Sequence, residues 1–194
     1  MANTPSRKRR RGTGNAVKIV VTGPFSAGKT TLIRTISEIT VLSTEKDITD
    51  ETRVRKHETT VAMDFGRITI DRDLVLYLFG TPGQDRFDFM WEILGEGMLG
   101  YVLLVDATRE ESLQEAVPIL AAFRRMARVP FVVGLNRAGG IDEAEEERVR
   151  SVLELAPDVP VVPCDAVDRE SVKSVLLALL YAVVDSLDTA ATTA

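Results

Sequence analysis

The fold is decided by the stretch Val17-Lys18-Ile19-Val20-Val21-Thr22-Gly23-Pro24-Phe25-Ser26-Ala27-Gly28-Lys29-Thr30. Its first six residues are mostly apolar and β-branched, which is typical of a buried strand. The next eight match the pattern G-x-x-x-x-G-K-[ST] in full, and a helical pattern begins at Lys29. Because the glycines let the backbone curl, successive N–H groups converge at a helix start, where anions are favoured. The stretch therefore predicts a phosphate-binding loop.

The residues of this loop have predicted tasks that follow from their chemistry. Lys29 is placed to reach the β- and γ-phosphates of a nucleoside triphosphate, and the Thr30 hydroxyl is placed to ligate Mg²⁺. The residues expected to bind the nucleotide here are Gly23, Ser26, Ala27, Gly28, Lys29, Thr30 and Thr31.

Outside the loop, short β-rich runs alternate with helical patterns. Strands are predicted at residues 17–22, 61–71, 74–79, 101–106, 130–135 and 159–162, and helices at 29–38, 110–127, 142–155 and 170–187. This alternation is typical of an α/β fold with helices on both faces of a mostly parallel sheet. Turn-prone residues separate 61–71 from 74–79, so these two strands should form an antiparallel hairpin. We predict a P-loop NTPase fold whose six-stranded sheet has one antiparallel strand.

Length and charge indicate one domain with a basic arm. The chain has 194 residues, which suits a single core. Five of its 24 basic residues lie within residues 1–16, which hold no acidic residue, and the remainder holds 19 basic and 29 acidic residues. We expect a disordered arm at 1–16, the folded domain at 17–187 and a short tail at 188–194. The arm is either a solvated tail or a contact for anionic lipid at a membrane surface.

Several protein classes are excluded by composition. Nothing approaches ~18 consecutive apolar residues, so no membrane span is predicted, and no apolar stretch follows the N-terminal charges as in a secretory signal. One cysteine, Cys164, and one histidine, His57, allow neither an internal disulfide nor a Cys/His metal cluster. We expect a cytoplasmic protein, membrane-associated at most through its arm.

Residues 40–59 are polar without periodicity and are predicted to form a long loop.

Other stretches resemble motifs of the Ras-like small GTPases. Thr60 opens the strand Thr60-Val61-Ala62-Met63-Asp64-Phe65, and the hairpin partner ends in Phe79-Gly80-Thr81-Pro82-Gly83-Gln84-Asp85-Arg86-Phe87. Asn136 follows the fifth strand and Asp165-Ala166 the sixth. The resemblance covers about residues 17–187. Within this superfamily the chain is most similar to the actinobacterial conservon GTP-binding proteins and, more distantly, to the bacterial gliding-motility Ras-like proteins.

This resemblance implies a Ras-like G domain that binds GTP or GDP with Mg²⁺, hydrolyses GTP slowly and signals through two nucleotide-sensing loops. Lys29, Gln84 and Thr60 would be the catalytic residues, Gln84 by orienting the attacking water. Thr30 and Thr60 would bind Mg²⁺, and the Gly83 N–H would contact the γ-phosphate. Thr60 could also be an ordinary strand residue, and Gly83-Gln84 a plain turn.

The base-binding residues match the family pattern in part. Where the family has N-K-x-D, this chain has Asn136-Arg137-Ala138-Gly139. Asn136 can bond the purine edge and the phosphate loop, and the Arg137 guanidinium can stack on the base. The Asp that accepts the guanine protons is missing, but the Asp165 carboxylate could replace it while the Ala166 N–H meets guanine O6. GTP is therefore expected over ATP.

A second departure concerns the metal. Gly80 stands where Ras-like proteins have an Asp that supports Mg²⁺, so weaker Mg²⁺ binding or altered hydrolysis is expected. Asp64 or Asp106 could reach the ion instead.

A third departure is Phe25, which stands where the family often has a Gly beside the γ-phosphate. Its ring should obstruct an activator's arginine and favour slow turnover. Arg53 and Arg55 are candidates for an arginine supplied within the chain, although a solvated basic loop explains them too. Residues 87–94 are rich in large apolar side chains, which pack on the sheet or form a partner patch.

Two other functions stay open. One is a P-loop scaffold that binds nucleotide without hydrolysis, which Gly80 and Phe25 favour. The other is an ATP-using P-loop kinase, although no Arg-rich lid is evident. The resemblance further implies protein partners of the roadblock type and a sensor-kinase-like protein; no nucleic acid is expected as a partner.

Overall fold

The computed structural model describes residues 15–43, 63–71, 73–82 and 89–193. Its strands are β1 (Asn15–Thr22), β2 (Leu42–Ser43), β3 (Asp64–Asp71), β4 (Leu74–Gly80), β5 (Gly100–Asp106), β6 (Phe131–Asn136) and β7 (Val161–Cys164). Its helices are α1 (Lys29–Ile36), α2 (Phe89–Gly95), α3 (Glu110–Met126), α4 (Glu143–Val152) and α5 (Arg169–Thr193).

The described strands form one sheet in the order β2-β3-β4-β1-β5-β6-β7. β3 runs antiparallel to its neighbours β2 and β4, and the remaining pairs are parallel. The α/β class, the six predicted strands and the one antiparallel strand are confirmed. β2 is an addition that corrects part of the loop predicted from residue 40. It pairs Leu42 with Phe65 over two residues only, which is too short to show periodicity.

Helices cover both faces of the sheet because alternate strand residues enter two different cores. Val21 and Val102 belong to the core formed with α1 and α5. Val20 and Leu103 belong to the core formed with α2, α3 and α4. All seven residues of β5 are buried, as expected of a central parallel strand that has helices on each side.

β1 lies where the strand order reverses. It pairs with β4 on one side and with β5 on the other. In open parallel sheets the carboxyl ends of two strands diverge at such a point and leave a crevice, in which ligands bind. The loop between β1 and α1 is therefore held at the crevice by the topology itself.

Three helices end two or more residues from their predicted limits: α4 stops at Val152 rather than at residue 155, and α1 and α5 differ as well. α1 stops at Ile36 because the Ser37 backbone is extended, and its hydroxyl donates to the Ile39 carbonyl (2.8 Å) while accepting from the Arg67 N–H (3.2 Å). Such local bonds compete with helix continuation. α5 continues to Thr193 through residues predicted as a tail, a stretch whose two alanines favour helix.

α2 contains most of the apolar run predicted at residues 87–94, from Phe89 onward. Trp91 and Leu94 are buried, whereas Ile93 is 64% exposed, so packing accounts for two of these three side chains. Within the described ranges, no helix combines the length and the apolar character that a membrane crossing requires.

Candidate nucleotide-binding site

The phosphate loop depends on two glycines with backbone conformations that other residues rarely adopt. Gly23 has φ +139°, and a Cβ on it would lie 2.1 Å from the Leu104 carbonyl oxygen. Gly28, which caps α1, has φ +103°, and its Cβ would lie 2.4 Å from Nδ2 of Asn136. The two φ values and the two close approaches together explain why the loop requires glycine at these positions.

The Lys29 side chain folds back over its own loop. Its Nζ donates to the carbonyl oxygens of Gly23 (2.8 Å) and Pro24 (2.6 Å), and the residue is buried. A buried ammonium must be hydrogen-bonded to offset its lost hydration. The loop thus holds a positive charge at the start of α1, where the helix also favours an anion.

Beside this lysine, the Thr30 hydroxyl donates to Oδ2 of Asp64 at 2.5 Å. Asp64 is the first residue of β3 and is buried. It lies directly opposite Gly80 in the β3–β4 ladder. A hydroxyl and a carboxylate, both hard oxygen donors, are therefore brought together at the first turn of α1.

These groups share a cavity of about 290 Å³. Its lining residues are Phe25, Ser26, Gly28, Lys29, Thr30, Thr31, Asp64, Thr81, Pro82 and Arg137. A larger cavity of about 1270 Å³ lies between α2 and α3, but mostly apolar side chains line it and it is remote from the phosphate loop. The smaller cavity carries the polar groups that a phosphate requires.

Asn136 joins three loops at this edge of the sheet. It ends β6 and is 2% exposed. Its Nδ2 donates to the Ala27 carbonyl (2.9 Å), and its Oδ1 accepts from the Ala166 N–H (3.0 Å). The loop after β7 is thereby fixed to the phosphate loop, and the predicted contact between Asn136 and that loop is present.

Arg137 is paired with a carboxylate in this structure, and its stacking on the base stays a prediction. Its guanidinium forms an ion pair with Asp106 and lines the phosphate cavity. Asp106 lies beside Asn136 in the β5–β6 ladder, which explains the attraction. Burial raises the pKa of Asp106, but hydrogen bonds from Thr108 and the charge of Arg137 outweigh it, and the net pKa is lowered. Asp106 is thus engaged by other groups, and of the two carboxylates proposed for the metal, Asp64 is the one that contacts Thr30.

The loop after β7 holds the other two residues predicted for the base. The Asp165 side chain is exposed, and its Oδ1 accepts from the Val167 N–H (3.1 Å). Ala166 is buried, and its carbonyl accepts from the Thr35 hydroxyl (2.6 Å). Burial raises the pKa of the adjacent Cys164 thiol to about 12, which keeps it protonated near neutral pH.

Some predicted site residues lie outside the described residues. These are Thr60, Gly83 and Gln84, together with His57, the alternative arginines Arg53 and Arg55, and most of the 40–59 loop. Phe25 is described, and its side chain is exposed at the mouth of the cavity.

Two residues to which the sequence motifs assign no role also contribute to the site. Thr81 and Arg109 both touch the loop region: Thr81 lines the cavity and its hydroxyl donates to that of Thr22 (3.0 Å), while Arg109 Nη1 donates to the Phe25 carbonyl (3.2 Å). Thr81 follows Gly80 in the quoted motif, so its place at the crevice was open to prediction. Arg109 contacts the loop through tertiary packing alone, for which no local pattern exists.

Comparison with known proteins agrees with this geometry. The family model described as "conserved hypothetical ATP binding protein" matches residues 21–186, from the last part of β1 into α5. The chain belongs to this family. As a member of the ATP-binding-protein family, it carries its phosphate loop near the start of the matched region.

Two relatives extend this picture. The chain is 32% identical over 135 residues to the uncharacterized protein MJ1339 of Methanocaldococcus jannaschii, covering 66% of this chain and 76% of that protein. It is 24% identical over 167 residues to the ADP-ribosylation factor-like protein 3 of Saccharomyces cerevisiae, covering 81% of each. The chain is thus a P-loop nucleotide-binding protein of this family with a distant similarity to an ADP-ribosylation factor-like protein.

We predict that Asn136→Ala destabilises the fold. It leaves the Ala27 carbonyl and the Ala166 N–H without their partner, and each unpaired buried group costs about 1–3 kcal/mol. The free energy of unfolding in urea measures the effect, with the exposed Ser174→Ala as the control, expected to change it by less than about 0.5 kcal/mol. An Asn136→Ala variant as stable as this control would show that the side chain does not hold the loops together.

Proposed function

We propose that this chain is a small switch protein that binds GTP and GDP with Mg²⁺ and hydrolyses GTP slowly. One observation carries the proposal: the buried Lys29 ammonium and the half-buried Thr30 hydroxyl lie together in a glycine-dependent loop at the crevice of the sheet. A P-loop kinase shares this loop. The similarity to an ADP-ribosylation factor-like protein favours the switch.

The phosphates would be bound by charge and by backbone N–H groups. Lys29 already donates to two carbonyl oxygens of its loop, and a phosphate oxygen is a stronger acceptor because it is charged. We infer that the ammonium exchanges carbonyl for phosphate when nucleotide binds. The N–H groups at the start of α1 and the helix dipole add to the attraction.

The residues of this site also suit a magnesium ion. Mg²⁺ prefers oxygen donors and is commonly bound through one or two protein groups plus phosphates and water. The Thr30 hydroxyl beside the Asp64 carboxylate fits that donor set, and the described ranges hold no cluster of three or more Asp, Glu, His or Cys side chains that would suit another kind of centre. When bound, the ion would neutralise charge on the phosphate oxygens. Thr60 is proposed as its second protein ligand.

Hydrolysis would depend on positioning, since phosphoryl transfer requires no protein nucleophile. We propose that Gln84 orients the attacking water, that the Gly83 N–H contacts the γ-phosphate, and that Thr60 senses its presence. The exposed Phe25 ring at the cavity mouth restricts access for a second protein, which supports slow turnover.

For the base, we propose guanine. Asn136 holds the loop after β7 against the phosphate loop, and the adjacent Asp165 carboxylate is exposed, so it is accessible to the two N–H donors of guanine. Adenine offers a different pattern, with an acceptor at N1. ATP is the competing nucleotide, since the family description names it.

The resemblance of the sequence motifs to Ras-like small GTPases also suggests partners and a cellular location, which we propose as follows. Proteins of the roadblock type and a sensor-kinase-like protein would recognise the nucleotide state. The protein would be cytoplasmic, and its five basic residues at positions 7–11 would allow contact with anionic lipid. The exposed Ile93 of α2 is one apolar side chain that such a partner could cover.

We predict that Lys29→Ala abolishes retention of GDP through purification. A hydrogen bond to a charged group contributes about 1.5–3 kcal/mol, and this variant removes the ammonium nearest the loop. Equilibrium dialysis against labelled GDP provides the measurement, and Lys173→Ala, an exposed lysine paired with Glu170 on α5, is the matched control. GDP affinity in Lys29→Ala equal to that of the control would refute the role of Lys29.

A second candidate function is nucleotide binding without hydrolysis, which Gly80 and the exposed Phe25 favour. Single-turnover phosphate release separates the two. We expect slow release by the natural chain with Mg²⁺, and a slower rate with unchanged GTP affinity in Gln84→Leu. Release no faster than in buffer would favour the scaffold, and equal rates in both proteins would show that another group positions the water.

A further inference from the structure

We propose that Asp64 is the carboxylate that positions Mg²⁺ at this site, acting from β3 through Thr30. Because Gly80 has no side chain, it leaves room for the Asp64 carboxylate. The proposal rests on the proposed function, because it assigns a residue to the same metal. It accounts for two observations together: a buried carboxylate next to the phosphate loop, and a glycine at the end of β4 where the Ras-like pattern has an acid.

The strand register brings the two positions together. Asp64 and Gly80 are direct partners in the antiparallel β3–β4 ladder. Side chains of directly opposite residues project from the same face of a sheet, with Cβ atoms about 4.5–5.5 Å apart. A carboxylate on residue 64 can therefore reach space that a carboxylate on residue 80 would reach.

The available space shows that only one of them fits. A Cβ on Gly80 would lie 3.1 Å from Cβ and 3.2 Å from Oδ2 of Asp64, and 2.9 Å from Cδ1 of Ile33. These distances are shorter than ordinary van der Waals contact, so the Asp64 side chain already fills the volume. A second carboxylate there would add repulsion between like charges in a buried site. In this chain the acid therefore lies on β3, opposite the glycine of β4.

The hydrogen bond to Thr30 explains how Asp64 would act. The Thr30 hydroxyl donates its hydrogen bond to Oδ2 of Asp64. The lone pairs of the hydroxyl oxygen are therefore directed away from that carboxylate and can bind a cation. The bond also fixes the rotamer of Thr30. Groups that orient a metal ligand in this way commonly change metal affinity by ~10–100-fold. Asp64 is thus a positioning residue, and its negative charge lies in the same cavity as Lys29.

Asp106, the other acid considered, is unsuited to this task. Its Oδ1 accepts from the N–H (3.0 Å) and hydroxyl (2.7 Å) of Thr108, and its Oδ2 is paired with Arg137. Freeing it would break three bonds in a residue that is 1% exposed. Among the described residues, Asp64 forms no ion pair with a basic side chain. Its side-chain hydrogen bond is with Thr30, the candidate metal ligand.

The test measures release of a fluorescent N-methylanthraniloyl-GDP as a function of MgCl₂ concentration, and in excess EDTA. The proteins are the natural chain, Asp64→Asn, the exchange variant Asp64→Gly/Gly80→Asp, and the control Asp73→Asn on the exposed β3–β4 turn. Asn keeps the size of Asp64 and an oxygen that can accept from Thr30, so the fold should persist. Thermal unfolding checks each protein.

We expect Mg²⁺ to slow GDP release from the natural chain and the control at the same concentration. In Asp64→Asn the half-maximal MgCl₂ concentration should rise ~10–100-fold, with each protein's release rate taken relative to its own rate in EDTA. A merely structural role would instead change the release rates by the same factor with and without Mg²⁺ and leave the half-maximal concentration unchanged. The exchange variant should recover most of the Mg²⁺ effect, and if it unfolds, Asp64→Asn alone decides.

An Asp64→Asn variant with the natural Mg²⁺ dependence would overturn the inference, as would a natural chain that binds the GDP probe with no Mg²⁺ effect. Failure of the proposed nucleotide binding would give a result that differs from failure of the Asp64 assignment. In that case neither the natural chain nor the control binds the probe at any MgCl₂ concentration.

Discussion

The site depends on the close approach of the phosphate loop to the two strands behind it. Gly23 lies against the Leu104 carbonyl of β5, and Gly28 lies against the Asn136 amide of β6. A side chain at either glycine would push the loop off the sheet. Because the loop is held at its two ends by backbone and by a buried amide, its carbonyl and N–H groups have fixed directions before any ligand arrives. A preorganised loop of this kind loses less entropy when it binds a phosphate.

Each buried charge at this edge of the sheet has a partner of its own. Lys29 is bound by loop carbonyls, Asp64 accepts from Thr30, and Asp106 is paired with Arg137. A buried charge without hydrogen bonds would be strongly destabilising. These pairs differ in what they do: one holds loops together, and the others lie in the cavity. The Asp106 pair holds the loops after β5 and β6, whereas Lys29 and Asp64 line the cavity, where the Lys29 ammonium can exchange a carbonyl for a phosphate oxygen.

Most of the fold could be predicted from the sequence because it is encoded locally. The apolar strands and the amphipathic helices repeat over many residues, and the phosphate loop is a contiguous motif. The two-residue β2 carries no such signal, and the end of α1 depends on a bond between Ser37 and Arg67 of another element. The role proposed for Asp64 depends on the exact β3–β4 register, which the sequence pattern does not show. Counting from the pair Asp71–Leu74 would place it opposite Thr81, but an irregularity between Thr69 and Asp71 moves it opposite Gly80.

The place of Arg137 shows a second limit of sequence reasoning. Its guanidinium suits a base, a phosphate or a carboxylate equally well. In this structure the guanidinium pairs with Asp106, which lies 31 residues away in sequence but on the neighbouring strand, so no local pattern predicts this partner. The motifs on Thr60, Gly83 and Gln84 stay predictions. The family match supports nucleotide binding for the chain as a whole, and the geometry at Lys29 and Thr30 shows which atoms are suited to it.

The loop between β1 and α1 is proposed to bind the phosphates of a guanine nucleotide. Displacement of bound fluorescent GDP by unlabelled GDP, GMP and ADP tests it most directly. We expect GDP to displace the probe at the lowest concentration. ADP should require at least ~10-fold more, because adenine lacks the two N–H donors that would face the Asp165 carboxylate, and GMP, which lacks the β-phosphate, should be the weakest. Displacement by GMP as effective as that by GDP would contradict the claim.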